Sequence, residues 1–294
     1  MRVEKIYSWI IEQLEKNNLI TEKDLINNLG PEDVEHAFLF LDYLVTKNMI
    51  SVNISGLEKE YKLQNLSKIK ELLIINEKRT IEEKKRNIQE GIVINVPLNL
   101  TSDLEFLKKK YPSYVIYSLK NAITLLLNSA KENVSFALPF FEFDGLNHFV
   151  DEFKSLAEKG VNIFVLSRGI SKPEREGYTY TEKLKAFSKL IDIYENNRTK
   201  PTSKLEIREY GSRIAGYGSA SLHYEGIHQK MIIVDKKYAY IGSGEIRAAS
   251  FLTNGEVGVI HEGQIVNFWD DFFQLFWRNA RPVSYEFFAQ SLSR

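Results

Sequence analysis

The chain has 294 residues, with 39 basic and 39 acidic side chains, no cysteine and an apolar fraction of 44%. Its length suits two domains or one large one, and its composition supports a buried core. Zero net charge excludes a globally basic binder of nucleic acid or membrane, so any polyanion must meet a local patch; the missing cysteine excludes disulfides, thiolate nucleophiles and cysteine metal sites.

The opening residues, MRVEKIYSWIIEQLEK, are too charged for a signal peptide. No run reaches the roughly 18 apolar residues of a membrane span. The expectation is a soluble, cytoplasmic protein with no membrane partner. Val3, Ile6, Tyr7, Ile10, Ile11 and Leu14 recur at helical spacing, so residues 3–16 read as a helix ended by Asn17 and Asn18. Thr21 is a suitable N-cap for a short helix through Asn28, with Asp24 at the capping-box position. Pro31 opens a third helix to about Lys47, with Phe38, Leu41, Leu44 and Val45 as its apolar stripe. Two strand-like runs follow, Met49–Ile54 and Glu60–Leu63, joined at Ser55-Gly56. Three helices and a hairpin are the order of a winged helix-turn-helix, so residues 1–66 are expected to form such a domain.

Its charge argues against a DNA reader. Residues 1–66 carry seven basic and eleven acidic side chains, and the third helix opens with Glu32, Asp33 and Glu35. Phosphate contacts need Lys and Arg. A protein partner or dimerisation fits this acidic domain better than DNA. Residues 67–90 are charged and lack proline, which suggests a connecting helix. Beyond it, residues 91–294 read as one α/β layered domain with a mostly parallel sheet. INVPLNL, VSFALPF, VNIFVLS, LEIREY, HQKMIIVD, YAYIGS and EVGVIH are its expected strands. Helices are expected over 117–131, 144–159, 180–196 and 264–278, the second ended by Gly160. The aromatic residues of the last, from Phe268 to Trp277, have the spacing of a core or interface face.

The chemistry lies in GIHQKMIIVDKKYAYIGSGE, residues 226–245. Residues two apart on a strand share a face, so His228 and Lys230 project together. MIIV continues into the core, and the turn at Asp235-Lys236-Lys237 leads back through YAYI. A hairpin of this length returns Ser243 beside His228. Imidazole is a competent nucleophile at neutral pH, lysine supplies charge for non-bridging phosphate oxygens, and serine adds a hydrogen bond. That grouping suits a phosphodiester.

The stretch resembles the motif of the phospholipase D superfamily, H-x-K-x4-D-x6-G-S-x-N. His228, Lys230, Asp235, Gly242 and Ser243 match at the required spacing; a chance match in a chain this long is roughly 1 in 10,000. Members often carry Asn-x-Glu ahead of the next strand, and Asn254-Gly255-Glu256 precedes VGVI here. By that resemblance Glu256 orients the nucleophilic histidine, and Asp235 is a supporting residue. The last motif position, usually Asn, is Glu245. Asn offers an amide donor, whereas an ionised Glu offers only acceptors and a second negative charge beside phosphate. Arg247 is one candidate partner for it. The resemblance covers about residues 95–290 in element order and only 226–260 as a specific motif.

His36, His148, His223 and His261 supply no second His-x-Lys. Members use two histidines, one to attack phosphorus and one to protonate the leaving oxygen. Single-motif members solve this by homodimerisation about a two-fold axis. The resemblance thus implies a dimeric phosphodiesterase that needs no metal or cofactor, acting on DNA or RNA through a phosphohistidine. Arg168, Lys172, Arg175, Arg198, Lys200, Arg208 and Arg213 lie in or near predicted loops and are candidates for a polyanion groove. The alternative is a winged-helix transcription regulator with a phospholipase D-like effector domain. A lipid phosphodiesterase ranks third, because the chain shows no basic amphipathic helix and no second motif.

Overall fold

The computed structural model describes residues 3–55, 58–71, 88–171, 178–215 and 222–292. The chain divides into two compact units between Arg86 and Asn87. In the first, α1 (Val3–Asn17), β1 (Leu19–Thr21), α2 (Glu22–Asn28) and α3 (Pro31–Thr46) precede β2 (Ile50–Ser55) and β3 (Glu58–Leu63). The capping box forms as its residue types require. Thr21 Oγ1 accepts from the Asp24 N–H at 3.1 Å, and the Asp24 carboxylate accepts from the Thr21 N–H at 2.9 Å. Ile6, Ile10, Leu14, Leu25, Leu41, Leu44 and Tyr61 are buried together, and Tyr7 stacks on Phe40 at 4.0 Å. The strand β1 is too short to show alternation in sequence. It pairs with β3 and gives an antiparallel sheet in the order β1-β3-β2. Of the connecting helix expected over 67–90, residues 67–71 are helical and 88–90 are not; residues 72–87 lie outside the described residues, as does Gly56 of the expected hairpin turn.

The second unit is built on one sheet of nine strands, ordered β14-β8-β7-β6-β11-β12-β13-β4-β5. These are β4 (Gly91–Asn95), β5 (Ile116–Tyr117), β6 (Asn133–Ala137), β7 (Asn162–Ser167), β8 (Leu205–Glu209), β11 (Lys230–Val234), β12 (Tyr238–Gly242), β13 (Glu256–Glu262) and β14 (Arg281–Pro282). A separate antiparallel pair, β9 (Gly211–Ala215) and β10 (Leu222–Gly226), was not expected. Six strands of the large sheet (β4, β5, β6, β7, β8 and β12) run one way, and β11, β13 and β14 oppose them. The expected mostly parallel sheet therefore holds for strand direction. The pairing is mixed, because the motif strands enter the centre as an antiparallel hairpin.

Helices cover both faces. Leu119–Ser129, Val150–Lys159, Tyr178–Asn197 and Tyr285–Leu292 pack on one, and Ile265–Asn279 on the other. The continuous apolar run MIIV follows directly. Ile232 and Val234 join the first core, while Met231 and Ile233 join the second with Phe273 and Trp277. The expected strand INVPLNL is displaced: the strand is Gly91–Asn95, and Leu98–Leu100 forms a 3-10 turn after Pro97. The helix expected over 144–159 is two, Phe143–Asn147 and Val150–Lys159, the second ended by Gly160 at φ 69°.

The central hairpin turns through three residues, Asp235 to Lys237, between the register partners Val234 and Tyr238, with Asp235 and Lys236 at φ 51° and 52°. Both residues lie in the left-handed region, which Asp tolerates better than most residues. The Asp235 carboxylate accepts backbone N–H groups of Lys131, Glu132 and Asn133 at 2.8, 2.9 and 2.8 Å. It thereby fastens the turn to the start of β6. Replacing Asp235 by Ala should cost about 2 kcal/mol, since three charge-assisted bonds to partly solvated donors are lost. Urea denaturation of the two proteins measures this, and an unchanged midpoint would show that the turn holds itself.

Candidate functional site

The motif side chains gather at one end of the sheet. β6, β7 and β12 finish there, and β11 and β13 begin there, as the pairings Met231↔Ala137, Lys230↔Gly242 and Gly242↔Gly258 require. Strand ends in layered α/β folds are where loops can build sites.

His228 was expected on a strand with Lys230, but β11 starts only at Lys230. His228 lies in the irregular residues just before it and is exposed. The two still converge: Lys230 Nζ is 3.3 Å from His228 Nε2, 3.4 Å from Nδ1, and donates to the His228 carbonyl at 3.0 Å. Burial pulls the Lys230 ammonium below its usual range, opposed first by the Glu245 carboxylate and reinforced by the Arg168 guanidinium.

Ser243 follows Gly242, the register partner of Lys230, so the hairpin delivers its hydroxyl to the same end of the sheet. Ser243 Oγ donates to Glu256 Oε2 at 2.5 Å and accepts from the Val257 N–H at 3.1 Å. The other Glu256 oxygen accepts from Ser250 Oγ at 2.8 Å and lies 3.5 Å from Asn254 Nδ2. Asn254 thus flanks the Glu256 carboxylate, and its own carbonyl lies 3.4 Å from Asn95 Nδ2. Asp235 sits at the far end of the hairpin, where it holds backbone.

Tyr240 positions the GSGE loop, and the sequence reading missed it. Its buried ring crosses Gly242 and the cross-strand Gly258; a Cβ on either would run into the ring. Only glycine leaves that space. The Tyr240 hydroxyl then accepts the Gly244 N–H at 3.0 Å, which fixes the backbone between Ser243 and Glu245. An aromatic residue two before a motif glycine was the available signal.

Glu245 is 5% exposed. Its Oε1 accepts the Phe140 N–H at 3.1 Å, and its own N–H donates to Ser250 Oγ at 3.3 Å. Burial pushes its carboxyl up to about 7, against the pull of Lys230, the Phe140 N–H and Arg247. Arg247, the candidate partner, instead pairs with Glu142 at 3.3 Å.

Three cations surround the Phe140 ring. Arg247 Cζ, Lys183 Nζ and Arg168 Cζ lie 5.2, 5.3 and 5.7 Å from its centroid. Any two are therefore within about 11 Å, and at an effective dielectric of about 20 each pair repels by roughly 1–2 kcal/mol. Of the other groove candidates, Arg198 pairs with Glu195, and Arg208 lies on β8 rather than in a loop and pairs with Glu206. Lys172 and Arg175 lie outside the described residues. Phe273 and Trp277 of the aromatic helix are core, and Phe268 is exposed. Among the described residues no cluster of three or more His, Asp or Glu side chains could hold a metal ion, and no helix is long and apolar enough to cross a membrane.

A family model described as "Cardiolipin synthase, PLD-like domain" matches residues 123–278, more than half of the chain. No curated protein matches by sequence. Solved structures resemble it at low identity. NucT from Helicobacter pylori aligns at 15% identity and TM-score 0.42, over 66% of this chain and 100% of its own. TrmBL2, an archaeal chromatin protein, aligns at 14% and 0.36, over 95% and 94%. Phosphatidylserine synthase from Haemophilus influenzae aligns at 12% and 0.44, over 78% and 56%.

The Glu245 carboxyl makes stability depend on pH. Its folded value is raised, so its contribution is fully present below the unfolded value of 4.5 and is lost as pH rises through about 7. Glu245→Gln keeps the acceptor for the Phe140 N–H and removes the charge. The variant should match the parent at pH 4.5 and exceed it by about 3 kcal/mol at pH 8.5, given the pKa difference. Denaturant midpoints at the two pH values test this, and a constant gap would refute it.

Proposed function

The chain belongs to the family of PLD-like domains, and from that premise we propose that it is a homodimeric phosphodiesterase that hydrolyses DNA or RNA through a phosphohistidine. The observation that carries this is the meeting of the Lys230 ammonium with the His228 imidazole at 3.3–3.4 Å, with the Ser243 hydroxyl delivered by register to the same end of the sheet. A neutral ring nitrogen of His228 attacks phosphorus and forms the N–P bond as the P–O bond to the leaving group breaks. His228 of the partner subunit gives its proton to the departing oxygen. The same imidazole then takes a proton from water, whose oxygen attacks phosphorus and releases His228. Lys230 holds the non-bridging oxygens, joined by Ser243 once its proton turns from Glu256, which frees a Glu256 oxygen to orient the imidazole as the family resemblance implies. No step in this scheme uses a metal or cofactor.

The N-terminal unit is read as a winged helix-turn-helix that recruits a protein partner, because residues 1–66 carry four more acidic than basic side chains. A winged-helix transcription regulator whose phospholipase D-like domain only binds an effector is the second reading. Glu245 favours it, since its ionised carboxylate would oppose phosphate at the position usually held by Asn.

Cleavage of labelled single- and double-stranded nucleic acid separates the two. His228→Ala should lower hydrolysis roughly a thousandfold or more while leaving the fold intact. Excess EDTA should leave the rate unchanged; complete loss restored by Mg²⁺ would overturn the covalent-histidine route. After subunit exchange, an equal mixture of parent and His228→Ala chains should keep about a quarter of the activity if each site needs both histidines, and about half if each subunit works alone. Finally, KM should rise above pH 7 in the parent as Glu245 ionises, and stay flat in Glu245→Gln.

A further inference from the structure

We propose that Arg168, Lys183 and Arg247, gathered around the Phe140 ring, form a subsite for a second phosphate of a single-stranded nucleic acid, beside the phosphate held at His228 and Lys230. The inference rests on the phosphodiesterase reading for its neighbour but stands on its own residues.

Three separate segments supply the cations: Arg168 follows β7, Lys183 lies on the helix Tyr178–Asn197, and Arg247 follows the GSGE loop. They are brought together rather than scattered. Phe141 bridges to Ile246 in parallel register, and the Glu142 N–H donates to the Ile246 carbonyl at 2.9 Å, so the segment after β6 is laced to the segment after β12. Lys183 is 5% exposed and donates to the Arg168 carbonyl at 2.6 Å, which ties the helix to the end of β7. A buried lysine beside two guanidinium groups is costly unless an anion shares the site. Of the carboxylates nearby, Glu182 pairs with Lys185 at 2.9 Å, and Glu142 shares its charge between Arg247 and Lys183 while burial pushes its carboxyl up, as it does that of Glu245. Arg247 Nε is buried and has no hydrogen-bond partner among the described residues.

The subsite adjoins the catalytic residues, since Arg168 and Arg247 both act on the charge of Lys230. Phe140 is half-buried, with the three cations 5.2–5.7 Å from its ring centroid. Positive charge interleaved with an aromatic ring is how sequence-tolerant sites hold single strands, with phosphate on the cations and base or sugar on the ring. A lipid headgroup would use the charge but has no use for the ring.

The test reads binding, so it does not depend on turnover. His228→Ala protein is titrated into fluorescein-labelled dT4 and into three analogues, each with one linkage replaced by a neutral methylphosphonate, and anisotropy gives Kd. One of the three replacements should weaken binding at least fivefold. Adding Arg168→Gln, or separately Arg247→Gln, should weaken binding of dT4 and abolish the penalty at that same linkage. The two variants guard against a folding defect in either, checked by thermal melting. Equal penalties with and without the arginines would overturn the subsite, as would no binding of dT4. Displacement of the probe by anionic phospholipid vesicles but not by unlabelled dT4 would also overturn it and assign the cations to lipid. If the parent enzyme cleaves no phosphodiester while the arginine-dependent penalty persists, the subsite stands and the hydrolase reading falls.

Discussion

The backbone bonds accepted by Asp235 set the geometry on which the site depends. The loop of Asp235 to Lys237 sets how the two strands it joins pair, and three N–H groups at the start of β6 lock that loop to the neighbouring strand. Register then propagates from the turn to the opposite end of the hairpin. There Lys230 must face Gly242 and Ser243 must come next. A one-residue slip would turn every side chain of β11 to the other face and send Lys230 into one core or the other. The motif aspartate therefore acts at a distance of one strand length, by fixing which residues meet.

The same economy governs the loop after β12. Tyr240 occupies the space that Gly242 and Gly258 leave open, and its hydroxyl takes up the Gly244 N–H. Packing and hydrogen bonding are thus combined in one side chain, so the loop carrying Ser243 and Glu245 rests on the hydrophobic core instead of on solvent. Glu256 completes the arrangement from the adjacent strand, with both carboxylate oxygens occupied by serine hydroxyls. The single Ser243 proton is thus committed to Glu256, so the hydroxyl has to turn from that carboxylate before it can donate to anything else.

Much of this was legible in the sequence because motif spacing and strand period are local. His228, Lys230, Asp235, Ser243 and Glu256 were singled out by the motif they share with the phospholipase D superfamily, and the α/β layering followed from alternating apolar strands and helices. What escaped was set by tertiary packing or by segments too short for periodicity. The strand β1 has three residues, and the helix Ala248–Leu252 has five. The break at His148-Phe149 shows nothing in the apolar pattern, since both flanking helices bury the same face. The partner of Glu245 was likewise out of reach. Arg247 is two residues away in sequence, yet its guanidinium turns to Glu142, and the carboxylate takes a backbone N–H from a loop about a hundred residues earlier.

Glu245 in the place of the usual Asn becomes intelligible once the charges around it are counted. Lys230 is partly buried beside Arg168 and Arg247, and burial and both guanidinium groups push its proton off. The Glu245 carboxylate is the first of the groups that keep it on. An amide at that position would supply a donor to phosphate but no charge to Lys230, so the ammonium would lose its strongest electrostatic support in a site already crowded with arginine. The carboxyl in turn stays near its midpoint at neutral pH because burial opposes its ionisation while Lys230, the Phe140 N–H and Arg247 favour it. The departure from the motif and the cations next to it therefore have to be read together.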